Sequence, residues 1–243
     1  MSKQLTKSVT LNITVEDLFQ SGAHIGHKTS HWNPDIKNFI HSNQSNTHII
    51  DLFQSIEQLE AACQAAYKIG SKGHKILFVG TKSQAAPVLT SLAKEIDAPY
   101  VTKRWPGGLL TNFATISARL KKLTEMEKIL ADQSLRAKYT KRELGKIEQS
   151  IKKLNTMLGG IKGIKRPPHA IFVVDTNLEK TAVREANKLG LTTIAIVDTN
   201  SSPKGINYPV VASDDNLKVI ELIAKEIQVA YQSGYQAYLT RQK

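Results

Sequence analysis

The sequence predicts an α/β protein: a parallel sheet covered by helices on both faces, with an inserted antiparallel helical hairpin. Short apolar runs alternate with helical stretches in both the first and the last third of the chain. These runs do not alternate apolar with polar residues, as expected for parallel strands buried on both faces. The middle segment instead has an apolar repeat in steps of three and four, which is typical of paired helices.

The globular part is predicted to be formed by residues 1–112 and 163–243. One helix is expected to open at the capping-box sequence Ser55-Ile-Glu-Gln58. Cys63 lies on the apolar face of that helix and is expected to be a small core residue. As the single cysteine, it excludes an internal disulfide and a cysteine-based zinc cluster. Strands are predicted at residues 75–80, 170–175, 193–198 and 209–211, and further helices at about residues 84–96, 179–189 and 214–231.

Residues 113–162 are predicted to form the inserted hairpin, a short antiparallel coiled coil. Its second helix has an apolar seam over residues 144–158. Thr140 and Glu143 have the spacing of a capping box at the start of that helix. Gly159-Gly160 supplies a stop signal at its end. We therefore expect the hairpin to project from the globular domain, with its apolar seam inside and its lysines outside.

The chain of 243 residues has a formal net charge of +12, and this charge is concentrated. Residues 119–166 carry 14 basic and 5 acidic side chains. A concentrated positive charge is typical of a protein that binds a polyanion, and nucleic acid is the natural candidate. The alternative interpretation is a solvated helical face.

Several classes of protein are excluded by missing patterns. No apolar run approaches the roughly 18–20 residues of a membrane span, and residues 1–8 lack the apolar core of a secretory signal. We therefore expect an intracellular protein with no membrane partner. The glycine spacings of dinucleotide sites, P-loops and nucleophile elbows are also missing. The turn Val79-Gly-Thr-Lys82 nevertheless leaves an enzyme with a phosphate-bearing ligand as an alternative.

Two similar motifs, Val174-Asp-Thr-Asn177 and Val197-Asp-Thr-Asn200, follow predicted strands. They lie at the carboxyl ends of strands, where open α/β sheets bind ligands. Asp175 and Asp198 could hold a hydrated cation there, together with Asp214 or Asp215. The same residue types also close strand-to-helix turns, which is the favoured interpretation. No metal or cofactor is therefore predicted.

The amino-terminal segment 21–34 combines three histidines with a tryptophan in a glycine-containing stretch. His24, His27 and His31 have a spacing that also fits a tris-imidazole metal site. Imidazole, lysine and tryptophan in a loop can equally contact phosphates and stack on bases. The third interpretation is a loop that only supports the fold. An RNA-binding or structural loop is favoured over a metal site.

Five motifs in one order point to a known family. They are residues 22–27 with 32–34, 48–52, 78–82, 104–112 and 196–200. On these motifs the sequence resembles the universal second protein of the small ribosomal subunit, in its bacterial or organellar form. The resemblance covers about residues 15–238 and implies a flavodoxin-like sheet with a protruding helical hairpin and no catalytic activity. Pro106 and Arg166-Pro-Pro-His169 depart from the family's usual residues.

The resemblance implies small-subunit rRNA and neighbouring ribosomal proteins as partners, among them the large mRNA-binding first protein where a lineage has one. It implies no small-molecule substrate, and a ribosome in the cytoplasm or, alternatively, in an organelle. A helical-arm adaptor and a relative that acts off the ribosome remain alternatives. The matched motifs and the basic residues around the hairpin give the RNA-contact candidates His24, His27, Lys28, His31, Trp32, Lys103, Arg104, Trp105, Asn112, Arg119, Lys121, Lys122, Lys152, Lys153, Lys165 and Arg166.

Overall fold

The amino-terminal part of the chain forms a small antiparallel sheet, which the sequence did not predict. The structure, a computed structural model, describes residues 10–242; the polar stretch considered above as a signal candidate, residues 1–8, lies outside them. A two-residue turn at Ser45 and Asn46 with positive φ angles of 48° and 62° joins the second and third strands. The elements are helix α1 (Val15–Gln20) and strands β1 (Ile25–Lys28), β2 (Ile40–Gln44) and β3 (Thr47–Ile50), in the order β1-β3-β2.

A five-stranded parallel sheet forms the centre of the molecule and confirms the predicted fold class. Its strand order is β5-β4-β6-β7-β8, and every neighbouring pair is parallel. This is the order of flavodoxin-like sheets, in which the second strand lies outside the first. The strands are β4 (Ile76–Val79), β5 (Tyr100–Val101), β6 (Ala170–Val174), β7 (Thr192–Val197) and β8 (Tyr208–Val211).

Helices cover both faces of this sheet, so successive strand residues are buried on opposite sides. Phe78 and Phe172 belong to one apolar cluster, whereas Leu77 and Ile171 belong to the other. The helices are α2 (Leu52–Ser71), α3 (Ala85–Glu95), α7 (Lys180–Lys188) and α8 (Leu217–Gln242). Cys63 is buried in the first cluster, as predicted.

The predicted start of α2 is wrong by one turn. Asp51, not Ser55, is the N-cap, and its carboxylate accepts a hydrogen bond from the Phe53 backbone. The Ser55 hydroxyl lies inside the helix, where it donates to the carbonyl of Val211 at 2.6 Å. Ser55 therefore fastens the helix to the sheet edge. Helix α8 also begins later and continues further than the apolar pattern predicted.

Between β5 and β6 the chain forms helices α4 (Phe113–Ala131), α5 (Gln133–Arg136) and α6 (Lys141–Leu158). Helices α4 and α6 contact each other. The predicted capping box of Thr140 and Glu143 is present, and α6 ends immediately before Gly159. The supercoil and the division into a domain and an insertion remain predictions. Within residues 10–242 no helix is both long and apolar enough to cross a membrane.

Candidate nucleic-acid interface

The lysines and arginines among the RNA-contact candidates are exposed and carry unpaired charges. None of them lies within 4.0 Å of a carboxylate in the described part of the chain, where the ion pairs involve other cations. An unpaired exposed cation can meet a phosphate without first breaking an ion pair. The exposed candidates are Lys28, Lys103, Arg104, Arg119, Lys121, Lys122, Lys152, Lys153, Lys165 and Arg166.

Other candidates lie where they also support the fold. The His24 ring stacks on Phe19 with centroids 4.4 Å apart. Trp32 is half-buried against the second apolar cluster and lies 5.1 Å from the His48 ring. His31 is exposed, and the Asn112 side chain accepts a hydrogen bond from the Thr115 hydroxyl at 3.0 Å. Among the described residues, His24 and His31 do not join His27 in a group of possible metal ligands.

His27 lies on strand β1 rather than in a loop, and this strand is attached to the carboxyl end of β7. The His27 backbone donates to Thr199 Oγ1 at 2.7 Å. The neighbouring Gly26 must lack a side chain, because a Cβ there would be 2.6 Å from the Thr199 methyl group. The Asn33 backbone donates to the Thr199 carbonyl. The amino-terminal motif is thus held at the edge of the sheet where parallel strands usually present ligands.

An ionic cluster fills this edge of the sheet. Its centre is the Lys82 ammonium, which contacts Asp214, lies 2.7 Å from Asp215 and is 3.7 Å from Asp175. His27 Nδ1 is 3.2 Å from Asp198 Oδ2. Asp175 also closes its turn by accepting from the backbone of residues 177 and 178, as the sequence predicted. The strand-end aspartates therefore serve both turn closure and a charge network.

The protonation of this cluster is shifted by burial and by neighbouring charges. Burial and the nearby carboxylates of Asp198 and Asp175 raise the pKa of Asp214 to about 7, although the hydrogen bond from Lys82 opposes this shift. The Asp198 carboxylate raises the pKa of His27 above 6.5, and burial opposes it. Burial disfavours the charge of Lys82, but its hydrogen bonds to Asp214 and Asp215 outweigh this effect and raise its pKa.

We expect the free energy of unfolding to fall as the pH is raised from about 6.5, the ordinary pKa of histidine, through the raised pKa of Asp214 at about 7 and up to about 8. The pKa of His27 and of Asp214 is higher in the folded state than in the unfolded chain, so the folded state binds more protons in this range. The slope is at most about 1.4 kcal/mol per pH unit for each proton. The lowered pKa values of His48 and His74 act with the opposite sign, but at lower pH.

Urea unfolding at several pH values in this range measures the effect. Asp198→Asn is expected to make the free energy of unfolding depend less on pH, because Asp198 raises the pKa of both His27 and Asp214. The exposed Asp97→Asn is the matched control. Stability that rises with pH over this interval would contradict the assignment.

Four side chains of the cluster could also hold a divalent cation: His27, Asp198, Asp214 and Asp215 offer ligand atoms within 4.8 Å of one another. No other such group of three or more is present among residues 10–242. The Asp214 Oδ2 atom is buried and has no hydrogen-bond partner among the described residues. Lys82, however, already supplies a cation to Asp214 and Asp215.

Because Lys82 already supplies the positive charge for Asp214 and Asp215, we expect neither Zn²⁺ nor Mn²⁺ to change the Tm of chelator-treated protein. An increase in Tm that Asp198→Asn abolishes and Asp97→Asn preserves would contradict this expectation and would show that imidazole and carboxylate ligands of the cluster hold an ion.

Glu185 is a buried residue whose importance the sequence did not reveal. From helix α7 its carboxylate accepts hydrogen bonds from the Trp105 indole at 3.0 Å and from the backbone of Gly108 at 2.8 Å. The backbone N–H groups of Leu110 and Thr111 donate to the other oxygen. Burial alone would raise the pKa of Glu185, but these hydrogen bonds outweigh it and lower the pKa.

The hydrogen bond between Trp105 and Glu185 therefore fixes the segment that leads into helix α4. Only 9 % of the surface of Trp105 is exposed. Its neighbours Lys103 and Arg104 remain exposed. All three line a cavity of about 410 Å³ together with Thr81 and Glu179. RNA contact by this segment is consequently expected from the two cations rather than from the indole ring.

Comparisons with known proteins identify the family of this chain. The family model described as "Ribosomal protein S2" matches residues 18–234. The small ribosomal subunit protein uS2c of Cyanidium caldarium is 43 % identical over 90 % of this chain and 90 % of its own length. The uS2 protein of Wolbachia pipientis subsp. Culex pipiens (strain wPip) is 43 % identical over 95 % of this chain and 85 % of its own. The chain belongs to the ribosomal protein S2 family.

Proposed function

We propose that this chain is a structural constituent of the small ribosomal subunit that binds small-subunit rRNA and neighbouring ribosomal proteins and catalyses no reaction. The observation that carries the proposal is the set of exposed, unpaired cations around helices α4 and α6, in a chain of the ribosomal protein S2 family. The location that follows is a ribosome, either in the cytoplasm or in an organelle.

In this function the lysines and arginines neutralise phosphates and fix the position of the protein on folded RNA. Contacts to phosphates release counterions and depend strongly on salt. Discrimination then comes from RNA shape and from a few side chains that meet exposed bases. Arg119, Lys121 and Lys122 of α4 and Lys152 and Lys153 of α6 are exposed for such contacts.

The alternative of an enzyme with a phosphate-bearing ligand is disfavoured by the geometry at the Gly80–Lys82 turn. In flavodoxin-like sheets the ligand lies outside the carboxyl ends of the strands, at the switch point of the strand order. Here Lys82 faces the carboxylates of Asp175, Asp214 and Asp215. A phosphate at this place would meet like charges and would compete with them for the only lysine of the turn.

Reversing two charges on α6 tests the RNA contact. We expect Lys152→Glu/Lys153→Glu to reduce incorporation into small subunits, and the reduction to be clearest at high salt, where binding no longer saturates. For the isolated RNA complex, the slope of log K against log salt should fall by about 1 for each phosphate that the variant no longer neutralises. Measurements from about 50 mM to about 200 mM salt suffice for this comparison.

Lys68→Glu/Lys94→Glu changes the net charge equally on exposed positions of α2 and α3 and is the matched control. If both double variants incorporate like the unmodified chain at every salt concentration, α6 does not contact rRNA. Sedimentation of the tagged protein in a ribosome gradient tests the proposal as a whole. A chain that fails to co-sediment with small subunits acts off the ribosome.

Protein neighbours are proposed in addition to rRNA, including the large mRNA-binding first protein where it is present. Large apolar side chains are exposed at Phe19, Ile25 and Phe53, with 55 %, 50 % and 72 % of their surface accessible. A contact through such side chains would depend little on salt. This property distinguishes protein contacts from RNA contacts in the same sedimentation experiment.

A further inference from the structure

We propose that a cavity at the amino-terminal edge of the parallel sheet binds one nucleotide, with the phosphate on the cations of its rim and the base against its apolar floor. The cavity has a volume of about 340 Å³ and lies between the residues that precede β4, β5 and β6. It is therefore at the opposite edge of the sheet from the Lys82 cluster. The function proposed above does not require this cavity.

The rim is cationic. Lys75, Lys165, Arg166 and His169 line the cavity, and Asp97 is the one carboxylate among its lining residues. None of the three permanent cations forms an ion pair with a carboxylate of the described residues. The Lys75 ammonium donates a hydrogen bond to the backbone carbonyl of Asp97 at 3.3 Å and lies 6.0 Å from the centroid of the Tyr235 ring. A phosphate can therefore be bound without breaking an ion pair.

The floor is apolar and fixed in shape. Ala98, Pro99 and Ile164 supply buried or half-buried apolar lining, and Pro167 adds an exposed apolar side chain at the margin; the two prolines restrict the backbone. Gly160 allows the wall to approach β5 closely, because a Cβ at this position would lie 2.2 Å from the Tyr100 carbonyl oxygen. Small-molecule sites are concave and mostly apolar, with a few convergent polar groups, and have volumes of about 300–1,000 Å³. A planar base with its ribose fits this description.

A stacked pair of imidazoles holds one side of the rim. The rings of His74 and His169 are 3.8 Å apart and inclined by only 5°. Burial, assisted by the neighbouring His169 and Lys72, lowers the pKa of His74. The His74 ring is therefore neutral at pH 7, and His169 is held in place at the cavity by stacking.

The position of the cavity indicates where the nucleotide comes from. Gly160 and residues 163–167 of its lining follow the end of helix α6, so an rRNA segment bound along α4 and α6 could place an unpaired nucleotide here. This source depends on the proposed function, whereas the chemistry of the cavity does not. A free nucleotide offers the same phosphate and base, so the test must separate the two sources.

The first experiment uses the full chain and free ligands. AMP or UMP is titrated while the imidazole proton signals of His74 and His169 are followed by NMR. We expect both signals to shift, and adenosine or inorganic phosphate alone to bind at least about tenfold more weakly, because each offers only one of the two binding groups. Arg166→Ala should weaken AMP binding by about tenfold. Arg119→Ala, which removes an exposed arginine of α4 away from the cavity lining, should leave it unchanged.

Equal affinity for inorganic phosphate and AMP, or binding that does not respond to Arg166→Ala, would overturn the nucleotide site. The second experiment places a photoreactive phenylalanine derivative at the exposed Pro167 and irradiates assembled small subunits. A cross-link to rRNA identifies an rRNA nucleotide as the occupant. AMP binding without any cross-link, in a protein that does co-sediment, rejects the rRNA source and leaves a free nucleotide. Failure to co-sediment instead rejects the proposed function, and the AMP titration still decides on the cavity.

Discussion

Replacing Glu185 with alanine is expected to lower the free energy of unfolding by about 3–5 kcal/mol. The carboxylate of Glu185 accepts hydrogen bonds from the Trp105 indole and from the backbone N–H groups of Gly108, Leu110 and Thr111. Without it, several donors have no acceptor, at a cost of about 1–3 kcal/mol for each one that water does not reach. Urea unfolding followed by circular dichroism measures this change.

Two further variants make the Glu185 prediction specific. Glu185→Gln keeps the shape of the side chain but removes its charge, so a smaller destabilisation is expected. The pKa of Glu185 is lowered in the folded state. The charge of Glu185 therefore stabilises the folded protein at pH values above about 4.5, the ordinary pKa of a glutamate. This contribution disappears as the pH falls through the lowered pKa of the folded state. Glu221→Ala, at an exposed position of α8, is the control. A destabilisation below about 1 kcal/mol for Glu185→Ala would contradict the prediction.

Replacing Lys82 with methionine is expected to cost about 3–5 kcal/mol at pH 8. Methionine keeps the length of the side chain but leaves Asp214 and Asp215 without their cation. Asp214 is fully buried, and removal of one partner of a buried ion pair strands the other charge. Thermal and urea unfolding at fixed ionic strength measure this effect.

The pH dependence of this destabilisation separates it from a simple packing defect. With Lys82 present the pKa of Asp214 is about 7, and removing the lysine raises this pKa further. At pH 6 Asp214 is therefore largely protonated with or without Lys82, so the Lys82→Met variant should be destabilised less than at pH 8. The double variant Lys82→Met/Asp214→Asn should recover part of the stability, because it removes the stranded charge. A destabilisation that is equal at both pH values and in both variants would indicate packing alone.

The central sheet was predictable because its signals are local. Strands β4, β6 and β7 are continuous apolar runs, and burial on both faces by helices produces this pattern. The capping box of Thr140 and Glu143 depends on residues three apart, and the structure confirms it. The excess of cations in residues 119–166 is also local, and it correctly predicted exposed basic side chains.

Features that depend on distant residues were not predictable. The Ser55 capping box is wrong because the Ser55 hydroxyl bonds to Val211, and Asp51 caps the helix instead. The strands of the small amino-terminal sheet are short and partly polar, so no alternation identified them. Trp105 resembled an RNA contact by position, but its burial depends on Glu185, 80 residues further along the chain. The repeated Asp-Thr-Asn motifs and Asp214 or Asp215 indicated where the ionic cluster lies, but nothing in the sequence indicated that Lys82 pairs with these carboxylates.

The attachment of strand β1 to Thr199 has a consequence for synthesis. The hydrogen bond between the His27 backbone and Thr199 joins residues 172 positions apart, and translation proceeds from the amino terminus. Strand β1 can pair with β3 early in synthesis, but it cannot attach to the parallel sheet at Thr199 until most of the chain has left the exit tunnel. Chains arrested before Thr199 are expected to be cleaved readily within β1, because domains complete their packing only as whole units.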